Sequence, residues 1–435
     1  MELFSNASLF TPPEPDSLET LDVNPNVLEG IILRMLHMNT SLTAHQISEA
    51  VCLPFFNVVE PVLNALREIR MVEITRGEMS AISYVYNITE AGRTRALQYF
   101  EQTTYIGPAP VSHTLYNKII SEQSLQKITV NAERLREAFT DLVFEDTILD
   151  QIGPAVNSGR SMFLYGPPGN GKTSICERIV KSFGGSIFIP YAIEVNGQII
   201  RIYDEYNHKS VSQEEDMRLQ GRYDKRFHLV ERPIIIVGGE LTLESLDLIW
   251  NEESRFYEAP FQMKANGGAF MIDDFGRQRI EPKTLLNRWI VPLEKRIDFL
   301  TLHTGTKIEI PFDELIVFST NLNPSHLVDD AFLRRIRYKI PIKDPSHESF
   351  RAIWKIVSEN KGVPYADEIV DYFVEKHMRT HGRPLRGCLP RDVLENIIDV
   401  CRFKQIDPTI TADMLDDAAH SYFVNFDEAD YKSIM

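Results

Sequence analysis

Eight residues, Gly166-Pro167-Pro168-Gly169-Asn170-Gly171-Lys172-Thr173, constrain this chain more than any others. The apolar run Ser161-Met162-Phe163-Leu164-Tyr165 precedes them, and a helical pattern from Ser174 to Phe183 follows and stops at Gly184-Gly185. Strand, loop and helix in that order fit G-x-x-x-x-G-K-[ST] without a gap or a substitution. The glycines let backbone N–H groups turn inward around phosphate oxygens, and the helix N-terminus adds a partial positive charge. The candidate nucleotide-binding residues are therefore Gly166, Pro167, Pro168, Gly169, Asn170, Gly171, Lys172, Thr173 and Ser174. Lys172 is expected at the β- and γ-phosphates, and Thr173 as a ligand of Mg²⁺. The expected fold class is α/β, a phosphate-loop core with a parallel sheet between helices.

Two more strand ends carry chemistry. Ala269-Phe270-Met271-Ile272 is a buried-strand pattern that runs into Asp273-Asp274. Asp273 is placed to hold Mg²⁺ through water, and Asp274 to polarise an attacking water. Leu315-Ile316-Val317-Phe318 runs into Ser319-Thr320-Asn321, and an asparagine there can orient water against a γ-phosphate.

Composition narrows the partners. The chain has 46 Lys and Arg against 62 Asp and Glu, a formal charge of −16, which argues against broad binding to nucleic acid or anionic membranes. Its four cysteines form no Cys-x-x-Cys pair, and the reading is a reducing compartment. No apolar run approaches the roughly 18 residues needed to span a bilayer, and the start of the chain lacks a basic signal segment. A soluble, cytoplasmic protein without membrane insertion is expected.

The expected organisation is a flexible acidic tail over 1–23, a winged-helix-like domain over 24–106, a linker over 107–130 containing the stiff Gly107-Pro108-Ala109-Pro110, an α/β core over 131–343 and a helical lid over 344–435. The winged-helix reading rests on three helices and two strands around Arg76-Gly77-Glu78. From Asn24 to Glu101 there are six Arg, no Lys and eight acids. A DNA reader normally shows a basic footprint, so docking of protein is favoured over DNA. Within the core, Ala192–Val195 and Gln198–Tyr203 around Asn196-Gly197 read as a hairpin, and so do Phe299–His303 and Lys307–Ile310.

From Gly166–Thr173, Phe270–Asp274 and Asn321, residues 130–435 resemble the AAA+ ATPases. The resemblance implies ATP and Mg²⁺ as cofactors, with these three segments as Walker A, Walker B and sensor 1. Asp329 to Tyr338 resembles the segment that carries arginine fingers. Arg334 and Arg337 are the candidates there, with Arg335 a rival, and a finger in trans implies a homo-oligomeric, hexameric ring. Gly387 to Asp392 resembles sensor 2, which nominates Arg391, with Arg386 the alternative. The candidate catalytic set is Asp274, Asn321, Arg334, Arg337 and Arg391, and the metal set is Thr173 and Asp273. Asp274 departs from the family, which usually has glutamate there. The paired hairpins resemble the MoxR-like branch and predicted bacterial ATPases with chaperone-like activity.

The resulting expectation is an ATP-hydrolysing ring that remodels or assembles an unknown protein client. A DNA-acting or transcription-regulating ATPase and a slow nucleotide switch are the alternatives. Tyr203 and Tyr206 are read either as aromatics that grip a peptide or as packing inside the insertion.

Overall fold

Five parallel strands carry the candidate site: β1 (Met162–Tyr165), β2 (Ile234–Val237), β3 (Ala269–Ile272), β4 (Leu315–Thr320) and β5 (Tyr338–Pro341). Their order across the sheet is β2-β3-β4-β1-β5. Every residue of β3 and β4 is buried, and so are the first three of β1. Unbroken apolar burial, without the alternation of a half-exposed strand, is what a parallel sheet covered on both faces requires. The register sets Val317 against Met162 and Thr320 against Tyr165, and Tyr338 also pairs with Met162. Because the strands are parallel, their carboxyl ends share one edge of the sheet. The expected α/β class is the fold observed.

The computed structural model describes residues 10–39, 41–77, 80–212 and 223–423. They fall into two compact units. One comprises Met1–Thr129, Phe183–Ile272 and Arg277–Ile316, and the other Val130–Ser182, Asp273–Gly276 and Val317–Met435.

In the first unit, helices Pro25–Met38, Ala44–Val51 and Glu60–Glu68 pack with a three-stranded sheet of Leu42–Thr43, Val72–Arg76 and Val85–Ile88. Thr43 caps the second helix and Thr89 the fourth, Glu90–Gln102. The third helix, expected from Asn57, begins instead with a π-turn over Phe55–Val59. Pro61 offers no N–H to the first helical turn, and the wider turn accommodates it.

Two boundaries expected from sequence are corrected. Of the tail over 1–23, the first nine residues lie outside the described residues, but Leu21 and Val23 are buried. Asp22 accepts from the Ser112 amide and pairs with Arg226 at 2.7 Å. Alternating apolar residues anchor this acid, so its neighbours are not free chain. The segment over 107–130 is not a bare linker. Ser112 caps helix His113–Glu122, which buries Tyr116, Ile119 and Ile120, and Val111–Ser112 pairs with Ala192–Val195.

The first hairpin, Ala192–Val195 with Gln198–Arg201, turns through Asn196 and Gly197, both with positive φ, as a tight Asn-Gly turn demands. Ala192 and Ile199 join the hydrophobic cluster of the N-terminal helices. Residues 24–106 are therefore not a separate domain. The second hairpin pairs Ile297–Thr301 with Lys307–Pro311. Among the described residues no single helix is long and apolar enough to cross a membrane.

The second unit adds helices His347–Lys361, Asp367–Phe373, Leu389–Lys404 and Ala412–Tyr422. Phe350, Trp354, Phe373, Leu394, Ile397 and Leu415 form their shared core.

Candidate nucleotide site

The loop leaves β1 at Gly166 and enters a helix that starts at Lys172 and ends at Phe183. Gly166 and Gly169 have φ of 144° and 80°, and neither has room for a Cβ. A methyl on Gly166 would collide with the Ile342 carbonyl, and one on Gly169 with Cys388 Sγ. The loop is thus shaped by chain that closes over it.

Lys172 is buried, and its ammonium donates to the carbonyls of Gly166 and Pro167, each at 3.0 Å, and to Asn321 Oδ1 at 2.7 Å. Burial pushes its pKa below the usual lysine value, against the opposing pull of Asp273 and Asp274, and the Arg386 charge lowers it further. Asn321 passes the chain of contacts on, donating from Nδ2 to Asp274 Oδ1 at 2.9 Å. The Asp274 amide donates to Asp273 Oδ1 at 3.0 Å, and Asp273 Oδ2 lies 3.5 Å from Thr173 Oγ1. Three strand ends and the start of one helix therefore bring Lys172, Thr173, Asp273, Asp274 and Asn321 together. Thr173 and Ser174 are partly exposed, and Pro168 and Asp274 exposed.

The arginines divide. Arg334 and Arg337 are exposed, on the segment that follows helix Asp330–Leu333. Arg335 is tied back, donating to the Ala331 carbonyl and lying over the Phe332 ring. Among the described residues, Arg391 makes no hydrogen bond to the loop. It sits in the first turn of Leu389–Lys404, 60% exposed, and pairs with Asp392 at 3.0 Å. Arg386, the alternative, stands at the loop and pairs with Asp344. The adjoining Gly387 amide donates to Asn170 Oδ1 at 3.0 Å, and the Cys388 amide to the Gly169 carbonyl at 2.8 Å. No sequence motif marks Asp344. Tyr203 packs against Tyr191, His208 and His228, whereas Tyr206 is 99% exposed.

The arrangement defines a class: a P-loop α/β fold whose acidic and amide side chains converge beside the loop. Residues 346–421 match a family model described as a domain of unknown function (DUF8689). No curated protein matches the chain. Among solved structures it is similar to the RuvB Holliday junction branch migration motor of Thermotoga maritima, at 13% identity and a TM-score of 0.38, over 67% of this chain and 74% of that one. It is also similar to NtrX of Brucella abortus in complex with ADP, at 13% identity and a TM-score of 0.41, over 79% and 69%.

Proposed function

We propose that the protein is a cytoplasmic AAA+-type ATPase that acts as a hexameric ring of its own copies and remodels or assembles protein partners. The observation that carries this reading is the hydrogen-bonded series Lys172–Asn321–Asp274 beside the Thr173–Asp273 pair. Lys172 and the loop amides hold the β- and γ-phosphates of ATP. The oxygens of Thr173 and Asp273 form a donor set that suits a hard cation, so Mg²⁺ fits there. When bound, Mg²⁺ supplies charge neutralisation across the phosphates. Asp274, one oxygen fixed by Asn321 and the group open to solvent, takes a proton from the attacking water. Arg386 replaces Arg391 as the lid arginine because it is the one beside the loop. Arg334 and Arg337 act in trans: they are exposed and untethered by the contacts that hold Arg335. A guanidinium at the neighbouring copy's γ-phosphate stabilises charge there.

Mixing an Arg334→Ala/Arg337→Ala protein with a Lys172→Ala protein tests the reading. Each is expected to be inactive alone. Mixed rings recover ATP turnover, since one protein supplies sound loops and the other sound fingers. Full turnover by a strictly monomeric wild-type protein contradicts the ring.

A further inference from the structure

One side chain fastens the phosphate loop to the chain around it. Asn170 is 6% exposed. Its Nδ2 donates to Asp344 Oδ1 at 2.8 Å and to the Lys343 carbonyl at 3.3 Å, and its Oδ1 accepts from the Gly387 amide. The same Asp344 oxygen receives Arg386 Nη1. Asp344 thus sits just past β5, between a loop residue and a lid cation.

We propose that Asp344 restrains Arg386, and that the terminal phosphate of a bound nucleoside triphosphate competes with Asp344 for that guanidinium. This rests on the ATPase reading above. Arg386 and Asp344 are 26% and 33% exposed, so their pair is partly screened by water and weak. A triphosphate held in the loop carries more negative charge than one carboxylate and takes bidentate arginine contacts well. Asn170 keeps its bond to Gly387 throughout, so the exchange moves the guanidinium without releasing the lid entry from the loop. Asp344 is then a positioning residue that sets discrimination between triphosphate and diphosphate. Each triphosphate bound must displace one ion pair, and a diphosphate displaces none.

Asp344→Asn is the direct test, because asparagine keeps an acceptor for Asn170 Nδ2 while removing the charge that holds Arg386. Titration of a non-hydrolysable ATP analogue with Mg²⁺ is expected to show binding tightened about two- to fivefold, the worth of an exposed ion pair. ADP affinity is expected to stay unchanged. In Arg386→Ala the further change Asp344→Asn is expected to have no effect. Weaker binding of both nucleotides by Asp344→Asn, with a lowered melting temperature, would mean that Asp344 only braces the loop, and overturns the proposal. Equal tightening of both also overturns it, since loss of nearby negative charge alone would do that. If Asp344→Asn does not fold, Asp344→Ser provides the same comparison. Failure of the wild-type protein to bind either nucleotide would overturn the ATPase reading itself, whereas sound binding that ignores position 344 overturns only this inference.

Discussion

Asp274 turns the chain through a left-handed backbone conformation, with φ of 48°. Aspartate and asparagine tolerate that region because their short polar side chains bond locally, and longer residues do not share the advantage. The pair Asp273-Asp274 accordingly closes on itself through the Asp274 amide and the Asp273 carboxylate. A local reason thus exists for aspartate where the resembled family has glutamate: glutamate would gain reach but lose conformational preference. Asp274→Glu is expected to lower stability by about 1 kcal/mol. Thermal unfolding of the two proteins checks this, and an unchanged or raised midpoint contradicts it. At this scale the sequence was legible wherever a motif fixes spacing. Lys172, Asp273 and Asn321 each close a strand-end pattern that allows few alternatives. The Arg386–Asp344 pair spans forty-two positions with no periodic rule between them, so nothing short of the fold brings it to view.

Single elements hold two buried charged groups that make their own predictions. Glu314, immediately before β4, is fully buried, and among the described residues no other residue donates to its carboxyl oxygens. Burial pushes its pKa well above the usual value, more than the nearby Arg296 charge can offset. A carboxyl whose folded pKa is raised binds its proton more tightly folded than unfolded. Its contribution to stability is present below the unfolded value, near pH 4.5, and is lost as pH rises towards the folded value. Within that window the loss approaches about 1.4 kcal/mol per pH unit. Glu314→Gln cannot ionise, so it is expected to flatten this fall and to be the more stable protein at neutral pH. Denaturant unfolding at a series of pH values measures it, and parallel profiles for the two proteins would contradict it. Arg226 is 1% exposed and bridges Asp224 and Asp22, both at 2.7 Å. This clip fastens the segment before Pro25 to the strand Phe227–Glu231. Arg226→Met leaves Asp224 buried and unpaired, and is expected to cost about 3–5 kcal/mol. A melting temperature equal to that of the parent would show the clip to be dispensable. The clip was hidden in the sequence because an acidic, proline-rich start reads as free chain, and its anchor lies some 200 positions away. Elements with strong local signals were legible: Asn196-Gly197 marks its hairpin, and β1, β3 and β4 begin and end within two residues of their apolar runs, whereas no motif marks β2 or β5.

At the scale of the whole molecule, the N-terminal helices and the first hairpin share one hydrophobic cluster, which couples their packing. That coupling could not be read from the sequence, because the residues joining the two, such as Leu28 and Ile199, look like ordinary core within each element. The proposed chemistry centres on a phosphate loop, an acid beside it and an asparagine bonded to both Lys172 and that acid. The most direct test is paired calorimetry and phosphate release on wild type and Asp274→Asn with MgATP. Asparagine keeps the shape of Asp274 but cannot accept the proton of the attacking water. Both proteins are expected to bind ATP with similar affinity, and only the wild type to release phosphate at a sustained rate. Phosphate release by Asp274→Asn at the wild-type rate, or a wild-type protein that binds no ATP, would contradict the account.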